Sequence, residues 1–245
     1  MNDIPTPNLP QALLLLALDD DKGSVLGAAA MGLDFGLAGT AVMELALAGR
    51  ITTDDDKFTV IDDRATGSPV LDAVLAALAA KPGKRLRPWV QHLPQACHLR
   101  QTLLDGLVAE GTLARRDQRI LWIFHATRYP ERDGAMEHDL RARMDAVLLH
   151  DQPADARTRL LIEAAHSCHL LDALYPRAQH KAVHARLKAL QSLPDACASA
   201  IGQVLQAQQA QQAAIVAVIC ASTVAATAAA TSAATAACAA SAASC

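Results

Sequence analysis

Apolar residues recur at helical spacing along most of the chain and switch to alternation in only a few short stretches. Residues 9–18 form a leucine-rich helix with Pro10 suited to its first turn. Residues 33–48 predict a second helix, and 68–80 a third, opened by Pro69 and stopped at Lys81-Pro82-Gly83. Leu99, Leu103, Leu107 and Val108 share one face of a helix that must end at Gly111. Beyond that glycine, 112–114 and 119–125 predict two extended runs around a polar turn, with Trp122 half-buried in the second. The same order of parts occurs earlier: an apolar helix, Gly49, Ile51, a charged turn, then an extended run over 58–61. The echo fits either a duplicated helix-hairpin unit or the ordinary way of ending a helix at glycine. Trp89 and Val90 predict a short helix docked on the core, and helices follow at 131–150, 156–174 and 178–190.

The expected fold class is therefore mainly α, a single helical domain with small β-hairpins after helices. Its boundaries are a lead at 1–8, a domain at 9–221 and an Ala/Ser/Thr tail at 222–245. Composition supports this: hydrophobic residues make up 52% but aromatics only 3%, so the core is built from Leu, Ala, Val and Ile. The first apolar run is closed by Asp19, Asp20 and Asp21 and lacks a preceding base, which argues against a signal peptide or anchor. Residues 196–245 carry no charge, yet their strongly apolar residues thin out after Ile219, so a buried helix and a frayed end are expected rather than a span. Six cysteines without CxxC spacing indicate neither a disulfide framework nor a zinc site and fit a reducing cytoplasm.

Net charge is −3, but residues 1–80 hold 12 acidic and 4 basic side chains whereas 81–132 hold 10 basic and 4 acidic. Lys84, Arg85 and Arg87, beside Pro88 and Trp89, form the stretch most suited to anionic lipid or phosphate. Arg100 near the start of its helix could add an anion contact. His166, His169, His180 and His184 have no acidic ligand at a telling spacing, so no metal is expected. GxSxG, P-loop and GxGxxG motifs are absent and nothing demands an enzyme or a cofactor. The rival readings are a winged-helix nucleic-acid or protein-interaction module, with 115–119 as a basic wing turn, and a scaffold that has lost lipid binding. Asp54, Asp55 and Asp56 in the first turn would repel a phosphate backbone and argue against nucleic acid.

LLLLALDDDKG at 13–23, ELALAGRI at 44–51, LVAEGTL at 107–113, RLLIEAAHSCHLLDALYP at 159–176 and AAIVAVICA at 213–221 together resemble the Golgi phosphoprotein 3 family, with its bacterial members nearest. Sixteen Arg against six Lys also suits a GC-rich bacterium. The resemblance implies a non-enzymatic peripheral membrane protein that binds phosphatidylinositol 4-phosphate and adapts membrane-protein tails. It also implies self-association through the hairpin, which would involve Leu113, Arg115, Arg116, Leu121 and Trp122. Of the family's headgroup residues only Arg100 is matched. The tryptophan's region is Leu26 to Ala29, one arginine falls on Ala38, and another on Cys97.

Overall fold

The structure is a computed structural model that describes residues 6–192 except 20–21, 31, 55–56, 82–84 and 121–123. Helix α1 (Leu9–Leu16) begins with a capping box: Asn8 Oδ1 accepts the Gln11 N–H and Gln11 Oε1 accepts the Asn8 N–H, both at 3.0 Å. Seven of its eight residues are buried, which its all-round apolar sequence requires. It lies against α2 (Leu33–Leu47), α5 (Leu99–Ala109), α6 (Ala135–Leu148) and α7 (Ala156–Ser167). Helix α2 is likewise buried from Gly36 to Ala46 and touches α3 (Pro69–Ala79) and α4 (Leu86–Ala96) as well. These two helices are the centre of the molecule. Among the described residues no helix is long and apolar enough to cross a membrane.

A carboxylate is built into this centre. Glu44 of α2 accepts the Leu9 N–H at 2.9 Å through Oε2, and its Oε1 accepts from Arg157 Nη2 of α7. The start of α1 is thereby tied to two helices distant in sequence.

Helices α2 and α5 end in the same way. The Gly49 N–H donates to Ala46 and the Arg50 N–H to Leu45, as the Gly111 N–H donates to Val108 and the Thr112 N–H to Leu107. Both glycines have positive φ, +67° and +81°, which is the Schellman geometry. In each case the second residue beyond the glycine, Ile51 or Leu113, is buried and begins antiparallel pairing. After α2, β1 (Ile51–Asp54) pairs with β2 (Lys57–Val60) from Ile51 opposite Val60. After α5, Leu113 bridges Glu131, and β3 (Arg116–Ile120) then pairs with β4 (Phe124–Arg128).

This differs from the expected hairpin. Leu113 belongs to an isolated bridge, and residues 116–119, read as polar turn, are strand. Pairing of Leu113 with Glu131 sets the register, so Arg116 faces Arg128 and Ile120 faces Phe124. Leu121, Trp122 and Ile123 fall outside the described residues, and with them the expectation for Trp122.

Three helix boundaries also shift. Because Glu131 is engaged in the bridge, α6 starts at Ala135, after Gly134 at φ +66°. The helix expected over 156–174 breaks into α7 and α8 (Leu171–Leu174), since His169 takes φ +58° and closes α7 with the bonds seen at the glycines: His169 N–H to His166 and Leu170 N–H to Ala165. Helix α9 (Arg177–Ser192) follows Pro176 and buries Val183, Leu187 and Leu190. Residues 193–245, including the tail, fall outside the described residues.

Candidate functional site

Two surfaces carry the residues singled out from the sequence. The first lies where α5 passes α2. Arg100 sits in the first turn of α5, after His98 in the left-handed conformation at φ +46°. Its Nε donates to Asp34 Oδ1 at 2.8 Å, with the side chains 34% and 46% exposed respectively. Any phosphate approaching Arg100 competes with a carboxylate already in place.

The other positions of the headgroup pattern supply no charge. Ala29 and Ala38 are fully buried in the core and Leu26 is half-buried. Cys97, at the end of α4, donates its thiol to the Ala73 carbonyl at 3.6 Å, and burial pushes its pKa up, so the sulfur stays uncharged. Arg100 therefore stands as the one cation among these positions. A separate cavity at the start of α1, lined by Thr6, Pro7, Arg143, Arg157 and Thr158, offers about 20 Å³, room for a single water.

The second surface is assembled from β2, the end of α3 and α4. Lys57 and Arg85 bridge as antiparallel neighbours, although 28 positions separate them in the chain. Trp89, one turn into α4, is half-buried: its ring meets Phe58 of β2 edge-on at 6.1 Å and His92 at 5.8 Å, and Lys81 Nζ lies 6.0 Å above it. The expectation that Trp89 and Val90 start a docked helix holds, and Val90 and Leu93 are its buried side. Lys57, Lys81 and Arg85 are exposed, and among the described residues none of them is paired with a carboxylate. Lys84 falls outside the described residues, and Arg87 lies in the first turn of α4. Sequence reasoning found Arg85 but missed Lys57, because only the strand pairing brings it here.

Three of the five self-association residues are among the described ones. Leu113 is fully buried in its own protomer, which removes it from any exposed contact. Arg115 and Arg116 are exposed, with Arg115 3.8 Å from Asp117, and Leu121 and Trp122 lie outside the described residues. Residues 116–119 of the nucleic-acid reading's basic wing turn lie on strand β3. Among the described residues no group of three or more His, Cys, Asp and Glu is arranged to hold a metal ion.

A largely buried helix pair, two glycine-ended helices that each feed a small hairpin, and an exposed basic face define a mainly helical scaffold with peripheral hairpins. The family model described as Golgi phosphoprotein 3 (GPP34) matches residues 9–214, and the chain belongs to that family. Vacuolar protein sorting-associated protein 74 of Eremothecium gossypii is 26% identical over 167 residues, covering 59% of this chain and 50% of the relative. The chain thus spans about half the length of the curated relative it matches.

Proposed function

We propose that this protein is a non-enzymatic peripheral adaptor that docks on anionic membranes through the Lys57, Lys81, Arg85 and Trp89 surface, without a dedicated phosphatidylinositol 4-phosphate pocket. The supporting observation is that strand pairing sets Lys57 beside Arg85 and Lys81 lies over one half-buried indole, with none of the three paired with a carboxylate among the described residues, while Arg100 is occupied by Asp34. Lys84 and Arg87 flank the same segment in sequence. Three cations near an anionic surface supply about 3 kcal/mol, roughly a 150-fold gain in partitioning. A headgroup pocket reduced to one engaged arginine lacks most of the charge-assisted bonds, at about 1.5–3 kcal/mol each, that selectivity needs. Recognition of membrane-protein tails and pairing through the hairpin are carried over from the family as parts of the same proposal.

Co-sedimentation with neutral vesicles, phosphatidylserine vesicles, and vesicles containing phosphatidylinositol 4-phosphate tests the reading. Equal binding to both anionic vesicles is expected, lost in 0.5 M salt and in the Lys57→Gln/Lys81→Gln/Arg85→Gln variant, and kept in Arg100→Ala. Selective phosphoinositide binding abolished by Arg100→Ala would overturn it and restore the pocket. Asp34→Asn frees the Arg100 guanidinium and is expected to strengthen anionic binding by up to about tenfold.

A further inference from the structure

Two histidine groups that look unrelated in the sequence meet in the fold. His166, in the last turn of α7, and His184, in the middle of α9, lie edge-to-face at 6.0 Å between ring centres, and His180 meets His184 at 6.3 Å. Asp172 of α8 is the acid between them. His184 Nε2 donates to its Oδ1 at 2.8 Å, and His180 Nδ1 is 3.8 Å from the same oxygen. His180 Nε2 donates to the Tyr175 carbonyl at 2.8 Å.

We propose that His166, His180, His184 and Asp172 form a pH-sensitive clasp that holds the first half of α9 on α7 and α8 at neutral pH and loosens it on mild acidification.

The geometry sets the order of events. Asp172 is placed to balance a proton on His184, and more distantly one on His180. Among the described residues His166 has no such partner, and it faces the His184 ring. One carboxylate serves three imidazoles, so the last proton is uncompensated. The remaining groups nearby do not replace it. On α7, Glu163 is bonded to Arg159 at 3.2 Å, and His169 on the α7–α8 link is a further potential positive charge. From α6, Asp145 accepts the Tyr175 hydroxyl, with Arg141 beside it, and burial holds that hydroxyl protonated. Arg177 and Lys181 of α9 are exposed.

Burial, and then the charges of His184 and His169, hold His166 below the ordinary histidine value, against a smaller opposing pull from Asp172. A base depressed in the folded state takes up its proton more readily when unfolded, so the contribution is intact above about pH 6.5 and is lost as pH falls below it. Asp172 is held below its ordinary range, chiefly by the His184 hydrogen bond, so its own contribution persists until far more acidic pH.

The other half of α9 is fastened without a titrating histidine. Arg186 donates to the carbonyls of Val147 at 3.1 Å and Gln152 at 3.2 Å, and Arg159 donates to the Leu190 carbonyl at 3.2 Å. Acidification therefore acts on one end of the helix, and opening is local rather than global.

Amide hydrogen exchange on the full chain at pH 7.5 and 5.5, corrected for the intrinsic pH dependence of exchange, tests the clasp. Protection over residues 178–185 is expected to fall relative to α1, by up to about tenfold at pH 5.5. His166→Gln, neutral at both pH values, is expected to keep its protection. Unchanged wild-type protection, or an equal loss in His166→Gln, overturns the proposal. If that variant does not fold, imidazole NMR titration of the unaltered protein decides. A His166 midpoint below 6.5, shared by the α9 amide shifts, is expected, and a midpoint at or above 6.5 overturns it.

Discussion

At Gly36, replacing one hydrogen by a methyl group would change the core. A Cβ there falls 2.2 Å from Cys168 Sγ and 3.1 Å from Leu13 Cδ2. Cys168 is fully buried and its thiol is pushed up to about 12, so it is an inert small apolar side chain rather than a reactive one. Gly36→Ala is expected to destabilise by about 1–3 kcal/mol through overpacking. In the Cys168→Ala background the same change should cost less than 1 kcal/mol, because the obstructing sulfur is gone; paired urea titrations of the single and double variants measure the coupling. Nothing in the sequence around Gly36 announces this contact, since its partner is 132 positions away. Arg100 shows the same limit: its isolation from the other headgroup cations was readable, but its capture by Asp34 was not, because that bond spans 66 positions.

Among elements, three helices end in one motif built on two residue types. Gly49 and Gly111 are legible as stop signals because only glycine takes positive φ without a Cβ penalty. His169 takes the same conformation at φ +58° and so hid the break between α7 and α8. Gly111→Ala, with no atom within 4 Å of the added Cβ, isolates the backbone penalty and is expected to cost about 1 kcal/mol. His169→Gly should go the other way by a few tenths to about 1 kcal/mol; thermal unfolding of both variants compares them. The second hairpin was misplaced for a related reason. Polar residues 115–119 matched a turn composition, whereas a single buried anchor, Leu113, set the pairing and made 116–119 a strand. The two helix-hairpin units proved alike in their Schellman ends and buried anchor residues, which is the part of the echo that the sequence displayed.

For the whole molecule, the leucine-rich run at 13–16 read correctly as a helix, but its place at the centre did not follow from composition. The central position follows from packing, as four helices drawn from residues 33–167 cover it. Glu44 is the polar fastening of that arrangement. Glu44→Ala leaves the Leu9 N–H and the Arg157 guanidinium without their acceptor. It is expected to cost about 2–3 kcal/mol, less than a fully buried pair because Arg157 is partly exposed to water. Chemical denaturation beside Glu44→Gln, which keeps an acceptor for Leu9, separates the two losses. The exposed basic face was half legible: Arg85 stood out within its own segment, while Lys57 joined it only through the bridge between β2 and the residue before α4.

The central position of α1 has a consequence in time. Its covering helix α7 ends at Ser167, so at about 5–20 residues per second the ribosome needs roughly 7 to 30 s after finishing α1 before that cover exists. Throughout that interval the leucine-rich helix has been made and its cover by α7 has not. Nascent chains halted before α7 should therefore stay bound to general chaperones, and chains extended past it should let them go.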